Sequence, residues 1–93
     1  SRKKFYDAEK IFKGAANHRR LEILELLSHT PDLSVDDIIE KIRVNYQTGS
    51  EHIARLARSG LVYKRKRGRD VLHTLSPYGA ALLKFITTLL QKP

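Results

Sequence analysis

Phe5, Ala8, Ile11, Phe12, Ala15 and Ala16 recur at the spacing of one helical face, which predicts a first helix over residues 5 to 16. Asn17 is placed to cap a second, from about His18 to Ser28, where Leu21, Leu24 and Leu27 form a stripe that Ile23 and Leu26 widen. A helix so broadly apolar belongs at the centre of the fold. His29-Thr30-Pro31-Asp32 ends it, because a proline disfavours helical geometry at the residue before it. Leu33 is expected to add one short strand pairing. Ser34-Val35-Asp36-Asp37 then reads as a capping signal, with an acid where the box usually carries Glu or Gln, opening a third helix that runs to about Arg43. After the turn Val44-Asn45, with Asn45 as cap, a fourth helix is predicted from Tyr46 to Ser59. Two helices joined by so short a turn make a helix-turn-helix.

The period then changes. Val62, Tyr63, Val71 and Leu72 are β-prone, predicting strands at about Leu61 to Lys66 and Asp70 to Leu75 around a glycine-centred turn at Gly68. Ser76-Pro77 is a strong start signal for a last helix carrying Leu82, Leu83, Phe85, Ile86, Leu89 and Leu90. The expected architecture is mainly α with a small β-hairpin wing: one winged helix-turn-helix domain over residues 1–93, with about five helices and two to three short strands. A chain of this size buries only a modest core. The first and last helices carry more apolar surface than it can cover, so they are expected to pair across a two-fold homodimer, with Phe5, Ala8, Phe12, Leu82, Phe85, Ile86, Leu89 and Leu90 in the interface; the alternative is that the last helix folds back onto its own core.

Charge sharpens this picture. The chain has 18 Lys plus Arg against 10 Asp plus Glu, a net charge of +8. Between Arg43 and Arg69 stand eight cations and one acid, Glu51, a local balance of +7, while Asp32, Asp36, Asp37 and Glu40 lie elsewhere. Five of the six residues from Lys64 to Arg69 are cationic. A lopsided molecule of this kind has one face suited to a polyanion, and a basic hairpin behind an amphipathic helix suits a DNA backbone beside the groove the helix reads.

At about 100° per residue, Gly49, Ile53, Leu56 and Gly60 fall along the core side of the fourth helix, with Ala57 nearby, while Gln47, Glu51, Ala54, Arg55 and Arg58 point outward. Gln47, Thr48, Ser50 and Glu51, near its start, suit base edges, and Arg55 and Arg58, further along, suit phosphates. Lys64, Arg65, Lys66, Arg67 and Arg69 supply the wing's phosphate contacts. Glu51 is expected to pair with Arg55 four residues on, the favourable order on a helix, with contact to a cytosine amine as the alternative. His52, at the edge of the buried side, is expected to pack at the boundary rather than touch bases.

Gly14-Ala15-Ala16-Asn17-His18-Arg19-Arg20-Leu21-Glu22-Ile23-Leu24, Ser50-Glu51-His52-Ile53 with Leu56, Gly60-Leu61-Val62 and the basic wing with Gly68 together resemble ArsR-type winged-helix transcriptional regulators. The resemblance covers residues 11 to 90, and Leu75-Ser76-Pro77-Tyr78-Gly79 looks more like the start of the last helix in MarR- or PadR-like proteins. It implies a homodimer through the first and last helices, bound to pseudo-palindromic double-stranded DNA and usually repressing transcription. It places Gln47, Thr48, Ser50 and Glu51 at the DNA-reading positions and Lys64 to Arg69 on the wing. Gly49 stands where the family usually has an apolar residue, and glycine weakens a helix by up to about 1 kcal/mol relative to Ala.

Many relatives sense metals, but no metal or other cofactor is expected here. The chain has no cysteine, its last helix lacks His, Asp and Glu, and His18, His29, His52 and His73 are scattered without ligand spacing. The carboxylates Asp36, Asp37 and Glu40 suit the positive end of a helix better than a catalytic centre, so no enzyme is expected. No stretch reaches the roughly 18 to 20 apolar residues that span a bilayer, and a soluble, cytoplasmic protein is expected. The rival reading is a winged-helix module that binds RNA or docks on a partner protein in a larger assembly. Against RNA, only Tyr46 and Tyr63 offer stacking surface near the basic face.

Overall fold

A computed structural model describes residues 2–91, in the order α1 (Arg2–Ala15), α2 (His18–His29), α3 (Val35–Ile42), α4 (Tyr46–Arg58), β1 (Val62–Arg67), β2 (Asp70–Leu75) and α5 (Pro77–Leu90). The expected winged helix-turn-helix is present: five helices and an antiparallel hairpin. Each capping signal acts as the sequence suggests. Asn17 Oδ1 accepts from the amides of Arg19 and Arg20, Asn45 Oδ1 from Thr48, and Ser76 Oγ from Gly79, with Pro77 in the first turn. Ser34 and Asp37 form the reciprocal capping box, so Asp37 serves α3 as a structural acid. Leu33 bridges to His73, giving the hairpin a single-residue third strand.

The core gathers Ile23, Leu24 and Leu27 of α2, Ile38 and Ile42 of α3, Ile53 and Leu56 of α4, and Leu61, Val62 and Leu82. Leu21 and Leu26 flank it, half-buried. Between α3 and α4 the turn passes through Arg43 at φ +59, a left-handed conformation that a side chain disfavours. Arg19 Nη1 donates to the Ile42 carbonyl there at 3.0 Å, satisfying an acceptor that the end of α3 leaves open.

Two expectations need correcting. Gly60 is not a core-side residue of α4. It lies just past the helix at φ +78, its amide bonded to the Ala57 carbonyl and that of Leu61 to Leu56, a Schellman stop made possible by a glycine in the left-handed region. The signal was present in Ser59-Gly60, but helical spacing alone counts a stop as one more turn. Leu82 is buried in the core of its own protomer, because α5 folds back against α2, and so has little surface left for a second copy.

Candidate nucleic-acid interface

One side of α4 is fixed by packing and the other is open. Gly49, Ile53 and Leu56 are buried, and a Cβ on Gly49 would run into the side chains of Ile39 and Val44. The glycine that weakens the helix is therefore what lets α3 and α4 close on each other. Opposite it, Gln47, Thr48, Glu51 and Arg58 are exposed, while Ser50 and Arg55 are half-buried. Ser50 Oγ is already engaged, donating to the Gln47 carbonyl at 3.0 Å.

The hairpin differs. After buried Val62, every residue of β1 is exposed, and the turn at Gly68 and Arg69 has φ +62 at Gly68, the glycine a two-residue hairpin loop favours there. Lys64, Arg65, Lys66, Arg67 and Arg69 all face solvent. Arg65 is not free: its guanidinium lies 3.3 Å from the carboxylate of Asp32, in the loop after α2. The acids are thus not wholly segregated from the wing.

His73 anchors the hairpin base. It is almost fully buried, and Nδ1 lies 2.9 Å from the Leu33 carbonyl, which only accepts, so Nδ1 carries the proton. Burial holds its pKa below the ordinary value, with Lys64 adding to the effect and the Leu33 hydrogen bond opposing it. Ser50 and Ala54 of α4 share the walls of a cavity of about 230 Å³ with Lys64, Val71 and His73 of the hairpin. Tyr46, at the start of α4, shares another of about 240 Å³ with Arg69 and Asp70 at the wing tip. Helix α4 and the hairpin therefore border adjoining cavities, which share Val35 and Val71.

The expected Glu51–Arg55 pair does not form. Among the described residues the ion pairs are Lys3–Asp7, Lys13–Glu9, Arg19–Glu22 and Arg65–Asp32. Arg55 lies close enough to Arg20 of α2 for its charge to lower the Arg20 pKa. Sequence reasoning missed Arg20 altogether. Its Nη1 donates to His52 Nδ1 at 3.3 Å, so His52 does sit at the boundary, as expected, but against a cation from another helix. Nothing in the local spacing signals a contact between residues 32 apart.

The other open surface is apolar. Phe5 and Phe12 on α1, and Phe85, Leu89 and Leu90 on α5, are more than half exposed, while Ala8 and Ile86 are half-buried. No helix among the described residues is long and apolar enough to cross a membrane. Among the same residues, no three His, Cys, Asp or Glu side chains cluster as a metal site would require.

Comparisons with known proteins agree with this geometry. The MarR family model matches residues 16–71. The transcriptional activator HlyU of Vibrio cholerae is 39% identical over 66 residues, covering 71% of this chain and 60% of HlyU. The arsenical resistance operon repressor of Escherichia coli is 38% identical over 68 residues, covering 73% of this chain and 58% of the repressor. The chain thus spans about 60% of the length of these curated relatives. In three dimensions HlyU superposes with a TM-score of 0.84 at 33% identity, covering 97% of this chain and 98% of that one. A homodimeric winged helix-turn-helix DNA-binding domain from Mycobacterium bovis superposes at 0.82 with 27% identity, over 91% of this chain and 79% of that one.

Proposed function

The chain belongs to the MarR family, as an ArsR-type winged helix-turn-helix regulator, and from that premise we propose that it binds specific duplex DNA as a homodimer and represses transcription. The observation that carries this reading is the adjacency of Tyr46, Ser50 and Ala54 of α4 to Lys64 and Arg69 of the cationic hairpin, at the two shared cavities. In it, Gln47, Thr48, Ser50 and Glu51 meet base edges in a major groove, while Arg55, Arg58, Lys64, Arg65, Lys66, Arg67 and Arg69 meet phosphates. Ser50 contributes as an acceptor through its oxygen lone pairs, since its proton is committed to the Gln47 carbonyl.

The homodimer forms through α1 and α5, where Phe5, Phe12, Phe85, Leu89 and Leu90 stand open, with Ala8 and Ile86 at the edge. Large apolar side chains left this exposed on two helices support an interaction site there. A two-fold dimer presents two copies of α4, which match half-sites about one helical turn, roughly 34 Å, apart. The proposed regulator is cytoplasmic and works without a metal, which the absence of cysteine supports. The relatives include both an activator and a repressor, so transcription in vitro from the selected site decides the sign of regulation.

Selection from a random duplex pool, with sedimentation of the free protein, tests the reading. The expected result is an inverted repeat bound by a dimer, with Leu89→Asp shifting the protein to monomer and weakening binding. Preference for single-stranded RNA over duplex across a salt series, or a stable monomer that binds a single half-site, would sink it.

A further inference from the structure

Arg20 and His52 fall outside the DNA contacts assigned above, yet their surroundings resemble a binding site more than a simple structural pair. A guanidinium only donates hydrogen bonds, so at 3.3 Å His52 Nδ1 must accept from Arg20, leaving the imidazole neutral with its proton on Nε2. Burial first, and then the charge of Arg20, lowers the His52 pKa, in keeping with that neutral form; Glu51 opposes this, and His18 and Arg19 add to it. Arg20 Nε is buried without a hydrogen-bond partner. Burial, followed by the charge of Arg55, lowers the pKa of Arg20 itself. Among the described residues neither Arg20 nor Arg55 joins an ion pair, although Glu51 lines the same cavity of about 300 Å³ with them, together with Arg58.

Two neighbouring guanidiniums, one of them partly desolvated, repel each other and leave donors unused. An anion between them would relieve both costs. The cavity opens beside Glu51, Ala54, Arg55 and Arg58, the outward positions of α4. We propose that Arg20 and Arg55 form a seat for one phosphate of the DNA backbone, with His52 as the positioning residue that orients Arg20. This rests on the DNA-binding reading above and adds α2 to the surface that meets the duplex.

The test replaces single backbone phosphates with uncharged methylphosphonates and measures binding over a salt series. In the unaltered protein, one position per half-site should weaken binding when neutralised, and that effect should vanish in both Arg20→Gln and Arg55→Gln. Each variant should bind all duplexes more weakly without changing sequence preference, and the dependence of log K on log salt should become shallower by about 0.9 per lost phosphate. His52→Leu should reproduce the Arg20→Gln result, while His52→Gln, which keeps an acceptor, should restore binding. Should Arg20→Gln fail to fold, His52→Leu against His52→Gln carries the comparison, because Arg55 already meets a phosphate in the reading above.

The seat is refuted if every methylphosphonate position keeps its effect in the variants that fold. Inorganic phosphate that shifts the Arg20 and Arg55 side-chain NMR signals, with no methylphosphonate position lost in the variants, would assign the cluster to a free anion and likewise overturn the backbone seat. Unaltered protein that shows no salt-sensitive duplex binding would overturn the DNA reading, and the seat with it.

Discussion

Helix α4 and the β-hairpin sit side by side on one surface but are held in opposite ways. The helix is fixed at its start by the Asn45 cap, along its inner side by Gly49, Ile53 and Leu56, and at its end by the stop at Gly60. The hairpin is held by packing only at its base, where Val62, Leu72 and His73 are buried; beyond Val62, β1 has no buried residue, and the tip depends on its own ladder and one half-exposed ion pair between Arg65 and Asp32. The difference fits the two tasks proposed for them. Hydrogen bonds to base edges fail with small errors of angle, so a reading element must be rigid, whereas attraction to a phosphate varies slowly with position and tolerates movement.

The contrast breaks most directly at Gly49. Gly49→Val should force α3 and α4 apart, at a cost of about 1–3 kcal/mol for overpacking, visible as a lower urea midpoint. An unchanged midpoint would show that the helix is not gripped as described. Next come the roles themselves. Gln47→Ala should lose about 1–3 kcal/mol of discrimination between preferred and altered duplexes. Arg65→Ala with Arg67→Ala should instead weaken binding to all duplexes alike and flatten the salt dependence, by up to about 0.9 per phosphate. If the hairpin variant changed sequence choice instead, the division between the two elements would be wrong.

The hairpin's base should also respond to pH. The pKa of His73 is lowered in the folded protein, so the unfolded chain binds the proton more readily, and stability should fall as pH drops below the ordinary histidine value of about 6.5. Denaturant melts at pH 7.5 and 5.5 check this, and equal midpoints would refute it. The smallest effect should come from Asp32→Asn. A half-exposed ion pair contributes about 0–1 kcal/mol, so stability should barely change while the freed Arg65 strengthens binding to nonspecific duplex. Weaker binding in that variant would mean that Asp32 holds Arg65 ready rather than holding it back.

What could be read from the chain was local. Asn17, Ser34, Asn45 and Ser76 cap the helices that follow them because a cap spans only two or three residues, and Gly68 marks its own turn. What escaped was set by residues distant in sequence. Asp32 meets Arg65, Arg20 meets His52, and α5 turns Leu82 inward, all through the packing of elements that no periodicity relates. Glu51 and Arg55 show the opposite error: a favourable spacing on one helix is not matched by an ion pair among the described residues. Gly49 was visible as an anomaly, but its reason, the side chains of Ile39 and Val44, lay on another helix and in the turn.

That glycine separates what can vary from what cannot. Position 49 admits no side chain without moving its neighbours, while the side chains of Gln47 and Thr48 project outward and their replacement leaves the α3–α4 contact intact. Libraries randomised at 47 and 48 should therefore yield folded proteins with altered targets, making the helix a socket for retargeting.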